Sequence, residues 1–226
     1  MSVIIGIPIK NDLESFKETI KSIDESTNFP HTLVLLDGGS TDGSAEYCDY
    51  LEQTRNNVEV FHMNTKGPME AYNILFKLAL EKESDLVLSQ TDVIYPKLYK
   101  RDWLKLLHDA CKQKDAGAST CLNGGGISGD TYLDGFRWIG GWCSYIPYST
   151  INHVKGFDEN YLIGDGADID LTYAIVKMGL KIYYCNFWVD HHMQNNRSLE
   201  GQQSKEQLDK IKNKNAEYFR KKWQIK

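Results

Sequence analysis

Leu33-Val34-Leu35-Leu36-Asp37-Gly38-Gly39-Ser40-Thr41-Asp42-Gly43-Ser44 is the stretch that decides how the fold is read. Four apolar residues end on an acid, and a run of glycine, serine and aspartate follows, so the segment reads as a buried strand, a tight turn and a helix over 44–51. The same unit stands before it. Val3-Ile4-Ile5-Gly6-Ile7-Pro8 is rich in β-branched residues and stops at a proline, as a buried central strand would. Asn11 or Asp12 can cap the helix that follows, on which Leu13, Phe16, Ile20 and Ile23 form one apolar stripe at spacings of three and four. Downstream, residues 58–61 read as a strand, 69–80 as a helix and 86–88 as a strand. Strand alternating with helix predicts an α/β fold: an open, mostly parallel, twisted Rossmann-like sheet flanked by helices on both faces, joined by right-handed crossovers.

After Tyr95-Pro96 the rhythm changes. A helix is expected near 102–112, a strand near 116–121, a glycine-rich stretch over 123–129, and short antiparallel strands within 136–146. A helix over 168–178 should end at Gly179, with a strand over 181–184 and a last helix over 204–223. No linker or internal repeat is visible. The economical reading is one domain over 1–226: a ligand-binding half (1–95), a second half (96–201) and a basic C-terminal helix (202–226).

With 226 residues, 41% hydrophobic and 25% charged, the chain can bury a sizeable core, which excludes disorder and a mini-scaffold. It has no run of about 18 apolar residues, and MSVIIGIPIKND lacks the basic start and long apolar stretch of a secretion signal, so a soluble cytoplasmic protein is expected. The five cysteines are odd in number and form no CxxC, which argues against a disulfide framework or a zinc ribbon. A net charge of −5 argues against nucleic acid as a main partner. That charge is unevenly spread: residues 202–226 carry eight Lys or Arg against three acids, net +5, leaving −10 elsewhere. The tail can rest on an anionic membrane surface, or be a solvated helix packed through Leu208, Ile211 and Phe219.

In an open parallel sheet, ligands bind beyond the carboxyl ends of the strands. Asp37 stands at such an end, where a carboxylate can accept a hydrogen bond from a base or ribose and neighbouring glycines let backbone approach a flat ligand. The plainer alternative is a strand-turn-helix with Thr41 or Asp42 as the cap. An ordinary dinucleotide-binding oxidoreductase is disfavoured, because Pro8-Ile9-Lys10-Asn11 follows the first strand and no GxGxxG stands there.

These residues also carry a resemblance. Leu36-Asp37-Gly38-Gly39-Ser40-Thr41-Asp42-Gly43-Ser44, placed about thirty residues after Ile4-Ile5-Gly6-Ile7-Pro8, resembles the opening of the GT-A glycosyltransferases of family 2. Asn64-Thr65-Lys66-Gly67-Pro68 with Ala71 and Asn73, Gly156-Phe157-Asp158-Glu159, and Tyr218-Phe219-Arg220-Lys221-Lys222-Trp223 are similar to later segments of that family. The resemblance implies a GT-A fold and an inverting transfer from a nucleotide sugar, a uridine diphosphate (UDP) sugar in most members, to a glycan, lipid-linked or protein acceptor. It implies donor contacts from Pro8, Ile9, Lys10, Asp37, Gly38, Lys66, Gly67, Asn73, Gln90, Thr91 and Asp92. Gly38 replaces a second Asp usual in the family, which loosens the contact to base or ribose.

The resemblance also implies a divalent cation, Mn²⁺ or Mg²⁺, beneath the leaving diphosphate. The family's Asp-x-Asp is here Gln90-Thr91-Asp92, so only Asp92 matches, and Gln90 adds no charge. Val189-Asp190-His191-His192 resembles the family's Val-x-His; by strand alternation Val189 and His191 share one face, which favours His191 as the second ligand. Gly164-Asp165-Gly166-Ala167-Asp168-Ile169-Asp170-Leu171 resembles the family's Glu-Asp-x-Asp-Leu with Ala167 for the Glu, which makes Asp168 the general base. Asp165 and Asp170 are the other choices. Three carboxylates within six residues repel one another, which can lift one pKa. Gly140-Gly141-Trp142 and Asp165 are expected on the acceptor and sugar side, with Trp142, ahead of Trp138, offering a flat ring to a sugar. Because Gln90 and Ala167 replace acids, the competing reading is a catalytically weak or inactive nucleotide-sugar-binding protein of the same fold.

Overall fold

The computed structural model describes residues 2–129, 131–192 and 204–225. The first half alternates as the sequence predicts: β1 (Val3–Ile9), α1 (Leu13–Ser26), β2 (Thr32–Asp37), α2 (Ser44–Thr54), β3 (Val58–His62), α3 (Pro68–Glu81) and β4 (Asp85–Leu88). The second half adds β5 (Val93–Ile94), α4 (Trp103–Ala110), β6 (Ala116–Cys121), β7 (Gly125–Ile127), β8 (Arg137–Ile139), β9 (Ser144–Ile146), α5 (Tyr148–Val154), a 3₁₀ turn (Leu162–Gly164), α6 (Ala167–Lys177), β10 (Lys181–Cys185), β11 (Asp190–His191) and α7 (Lys205–Trp223). Seven strands join in the order β10-β6-β9-β4-β1-β2-β3. β9 alone runs against the others, pairing antiparallel with both β4 and β6.

Both faces of the sheet are covered, which explains the uninterrupted apolar runs of its strands. Ile5, Ile7, Leu33 and Leu35 turn to one face, against Phe16, Ile20 and Ile23 of α1, Leu51 of α2 and Trp103 of α4. Ile4, Val34, Leu36, Leu86 and Leu88 turn to the other, against Leu75 and Phe76 of α3, Ile151 of α5, Ile169 and Ile175 of α6 and Phe219 of α7. Among the described residues no helix is long and apolar enough to cross a membrane. All five cysteines are free thiols.

Local chemistry ends the elements. β1 continues through Pro8 to Ile9, one residue beyond the expected stop. Its register with β4 closes at Gly6↔Leu88, so the N–H that Pro8 lacks would have met no strand on that side. α1 starts without a side-chain cap from Asp12; instead Asp42 accepts from Leu13 N–H (3.0 Å) and from Ser44 N–H (3.1 Å), serving the first turns of α1 and α2 together. α7 begins with a capping box between Ser204 and Gln207.

Three features differ from the expectation. The glycine-rich stretch contains a strand, β7, paired antiparallel with β8 outside the main sheet. β5 and β11 form a second small ribbon. α5 was not expected: its seven residues Tyr-Ser-Thr-Ile-Asn-His-Val are too few to show an apolar period, and Ile151 is held by packing on the α3 side of the sheet.

Candidate active site

The first cluster closes around the end of β2. Asp37 is 2% exposed. Its carboxylate accepts from Ser40 N–H (2.9 Å) and, more weakly, Gly39 N–H (3.3 Å), and lies 3.1 Å from His62 Nδ1. Burial works to raise its pKa, but the hydrogen bonds from Ser40, His62 and Gly39 outweigh it and hold the group below its usual value. The ammonium of Lys10 donates to the carbonyls of Gly38 (2.5 Å) and Gly39 (3.1 Å). Gly39 is left-handed (φ +83°), and a Cβ there would stand 2.5 Å from Asn64 Oδ1; one at Gly38 would stand 3.3 Å from the Ile9 carbonyl and 3.4 Å from Thr65 Oγ1. The structure thus brings Pro8, Ile9, Lys10, Asp37, Gly38 and the 64–67 loop to one place. Asp37 itself is engaged by its own turn. Lys66 is exposed; its backbone N–H donates to Glu70, and Gly67 precedes α3 in an extended conformation.

The second cluster forms where β4 ends. Gln90 reaches two partners: its Nε2 donates to the Tyr72 hydroxyl (3.0 Å), and its Oε1 lies 3.0 Å from His191 Nε2. The β5–β11 ribbon sets His191 opposite Val93, which carries its ring to 3.5 Å from Asp92 Oδ1. His192 N–H donates to the Asp92 carbonyl, while the His192 ring turns to Asp190 (3.2 Å) and is about half exposed. Thr91 donates to Asp12 Oδ2 (2.8 Å), so it fastens this turn to the start of α1. Trp142 stacks on His191 (centroids 4.9 Å apart, planes at 22°), its indole N–H donates to the Asn123 carbonyl (3.0 Å), and Trp138 meets it edge-on. The close approach allowed by the glycines is to these rings: a Cβ on Gly140 would meet the Trp142 ring at 2.1 Å, and one on Gly141 the Tyr72 hydroxyl at 2.8 Å.

The acidic segment separates into three roles. Asp168 lies half-buried in the first turn of α6, after the left-handed Gly166, and its charge and that of Asp92 both act on the Tyr72 hydroxyl, whose pKa is raised chiefly by burial. Asp165 accepts from the Tyr132 hydroxyl, and its carbonyl receives Asn215 Nδ2 (2.9 Å). Asp170 is buried and accepts from Tyr161 (3.0 Å), Trp223 Nε1 (2.7 Å) and Lys222 Nζ (2.7 Å). Of the three, Asp170 is paired with Lys222 of α7, which it shares with Asp158. Asn73, expected at the donor, spends its amide on Phe157 and Glu159: Oδ1 accepts from Phe157 N–H (2.7 Å) and Nδ2 donates to Glu159 (2.7 Å). It braces the turn at Gly156, whose φ is +144°. A groove of about 570 Å³ between α3, α5, α6 and α7 is lined by Asn73 alone of the expected donor residues.

Four contributors escaped the sequence reading. Tyr72 looked like one more apolar position of α3. Asn123 sat in a glycine-rich stretch, yet it holds both Trp142 and, through its side chain, Val189 (2.7 Å). Lys222 looked like one of many tail lysines. His62 was detectable, since it is the first residue after the strand expected over 58–61 and the rule for strand ends applies to it.

Comparisons with known proteins bear on the fold and on the first half of the chain. The profile of the glycosyl transferase family 2 matches residues 4–88. Glycosyltransferase GlyG of Streptococcus pneumoniae is 28% identical over 115 residues, covering 50% of this chain and 36% of the relative. The chain thus matches about a third of the length of that curated relative. Among solved structures, the mannosyltransferase PcManGT of Pyrobaculum calidifontis, in complex with GDP-Man and Mn²⁺, superposes with a TM-score of 0.62 at 18% identity, over 82% of this chain and 56% of that one. GalNAc-T7, solved with UDP, GalNAc and Mn²⁺, gives 0.68 at 15% identity, over 84% and 44%. The likeness to both lies in the fold: a mixed sheet, mostly parallel, flanked by helices. With the β2 turn and the profile match over 4–88 in agreement, the first half of the chain is similar to the glycosyl transferase family 2, and the chain shares the fold of these two glycosyltransferase structures.

Proposed function

We propose that the chain transfers a sugar from a nucleoside diphosphate donor, a UDP sugar, to an acceptor hydroxyl with inversion, Asp168 being the general base. What supports the reading is the family match over 4–88 together with the cluster where β4 ends, in which Asp92 lies 3.5 Å from His191 and Gln90 joins His191 to Tyr72. Residues 1–95 form the donor half and 96–201 the acceptor half, and within the basic segment 202–226 α7 (Lys205–Trp223) braces the second.

Backbone from Pro8 to Lys10, the 37–40 turn and the 64–67 loop receive the nucleotide, with Lys10 and Lys66 as cations at its edge. Gln90, Thr91 and Asp92 lie toward the diphosphate. The donor set there fits a divalent cation: a carboxylate and an imidazole 3.5 Å apart with an amide oxygen 3.0 Å from the same imidazole nitrogen, a mixture of N and O that suits Mn²⁺ better than Mg²⁺. Among the described residues no three His, Cys, Asp or Glu gather as ligands. Asp92 and His191 would hold the ion with the donor's own oxygens; His191 Nε2, which now faces two acceptors, must first present its lone pair. When bound, the cation would neutralise charge on the leaving diphosphate. Asp168 accepts the proton of the attacking hydroxyl on the opposite face of the sugar, and Trp142 offers its ring to sugar or acceptor. The acceptor is a glycan, lipid-linked or protein hydroxyl; for a lipid-linked one, the exposed lysines of α7, Lys205, Lys212 and Lys214 among them, would face the membrane surface.

The test is a panel of nucleotide sugars with Mn²⁺, read as nucleoside diphosphate release. One donor should turn over, slowly even onto water. Asp168→Asn should keep donor binding and lose transfer about a hundredfold or more. Tight donor binding with no turnover across the panel and a range of acceptors would refute the enzyme reading, and an active Asp168→Asn would refute the base.

A further inference from the structure

His62 stands between two acids. Its Nδ1 lies 3.1 Å from Asp37 Oδ2 and its Nε2 2.9 Å from Asp49 Oδ1. An ionised carboxylate only accepts hydrogen bonds, and a neutral imidazole has one donor and one lone pair. Two carboxylates facing both ring nitrogens therefore call for a ring that donates twice, the imidazolium. Asp37 Oδ2 also serves Gly39 N–H and its Oδ1 serves Ser40 N–H, so the contact from His62 fixes the rotamer on which the 38–40 backbone hangs. We propose that His62 is a positioning residue: as an imidazolium bridging β2 and α2 it clamps the Asp37 turn, and the turn loosens its grip on the donor nucleotide when His62 loses its proton. The proposal rests on the reading of that turn as the donor site.

The charged groups that bear on the ring are Asp37 from β2 and Asp49 from α2. The Cys48 thiol of α2 senses the same two acids; burial first, then their charges, push it up to about 12, so it stays neutral. Lys10 is held away on the carbonyls of Gly38 and Gly39. Hydrogen bonds to Asp37 and Asp49 raise the His62 pKa. The sign follows: the clamp is complete below the ordinary histidine range and is lost as pH rises through the folded-state value. Above it, one nitrogen presents a lone pair to a carboxylate. With the His62 side chain 46% exposed, protons exchange directly with solvent.

The 226-residue chain is titrated with UDP by calorimetry from about pH 5.5 to about 9 at constant Mn²⁺, and the ring nitrogens of His62 are followed by ¹⁵N NMR. The expected result is an imidazolium signal through neutral pH and a UDP Kd that rises about tenfold through the same midpoint, one charge-assisted hydrogen bond being worth about that factor. His62→Gln should bind more weakly with that step removed from its profile. Asp49→Asn, half-exposed and outside the turn, should move the midpoint to lower pH. A neutral ring at pH 6, or an unaltered pH step in His62→Gln, overturns the proposal. Should UDP fail to bind at any pH while Gly39 and Ser40 amide exchange still quickens through the His62 midpoint, the clamp stands and the donor reading falls.

Discussion

Lys222→Met tests whether α7 is a brace for the helix that carries Asp168. Lys222 Nζ lies 2.7 Å from both Asp158 Oδ2 and Asp170 Oδ2, whose side chains are 15% and 5% exposed, while that of Lys222 is 30% exposed. Removing one partner of a fully buried pair costs about 3–5 kcal/mol, and a surface pair is worth about 0–1. A lysine nearly a third exposed, with Asp170 keeping Tyr161 and Trp223 as donors, falls between, at about 2 kcal/mol. For a chain of this length that corresponds to a Tm lower by roughly 4–8 °C, with methionine preserving the packing of the stem. The pH dependence sharpens the test. Burial raises the Asp158 carboxyl, but hydrogen bonds from Lys222, Asn160 and Tyr218 bring it down to about 2, so its contribution is present above the ordinary carboxylate range and fades as pH falls toward that value. The Lys222 pKa is raised, since the two carboxylates outweigh its burial, so its share is complete below the ordinary lysine value and lost above the folded one. Calorimetry should therefore show a gap between wild type and Lys222→Met that is level from about pH 5 to 9 and narrows below about pH 4. Unfolding within 1 °C of wild type, or a gap unchanged at acid pH, refutes the brace.

Two further outcomes follow from the same geometry. Chelation by EDTA should abolish transfer and Mn²⁺ restore it, with Asp92→Asn needing about tenfold more Mn²⁺ for half-maximal rate; equal activity in EDTA and Mn²⁺ would remove Asp92 and His191 from a metal role. Gly156→Ala should cost about 1–3 kcal/mol in chemical denaturation, since φ there is +144° and the new Cβ would lie 2.4 Å from Asn73 Oδ1; a neutral result would show that the Asn73 bracket is not maintained.

Legibility followed the range of the interactions. The strands and helices of the first half were readable because burial on both sheet faces writes continuous apolar runs, and helix packing writes a period of three and four. β7, β5 and β11 were not, since two or three residues carry no period, and α5 has a single buried apolar side chain, Ile151. In the candidate site, Gln90, Asp92, His191, Asp168 and Trp142 were expected from motif and position. Their geometry was not, because His191 reaches Gln90 across 101 residues and Lys222 reaches Asp170 across 52. Asn73 shows the converse: its place in a motif suggested donor contact, while its amide is taken up by Phe157 and Glu159.

By itself the sequence determined the class of fold, the order of its units and which residues stand at strand ends, because apolar spacing and turn chemistry act between neighbours along the chain. Only the tertiary structure decided which partners those residues meet. It ties Asp37 to its own turn and to His62, commits Asp170 to a lysine of α7, brings Asp92 beside His191, and sets His62 between two carboxylates. The physical reason is that a carboxylate or imidazole acquires its charge state and its remaining lone pairs from groups that the fold brings alongside, and those groups lie far away in sequence.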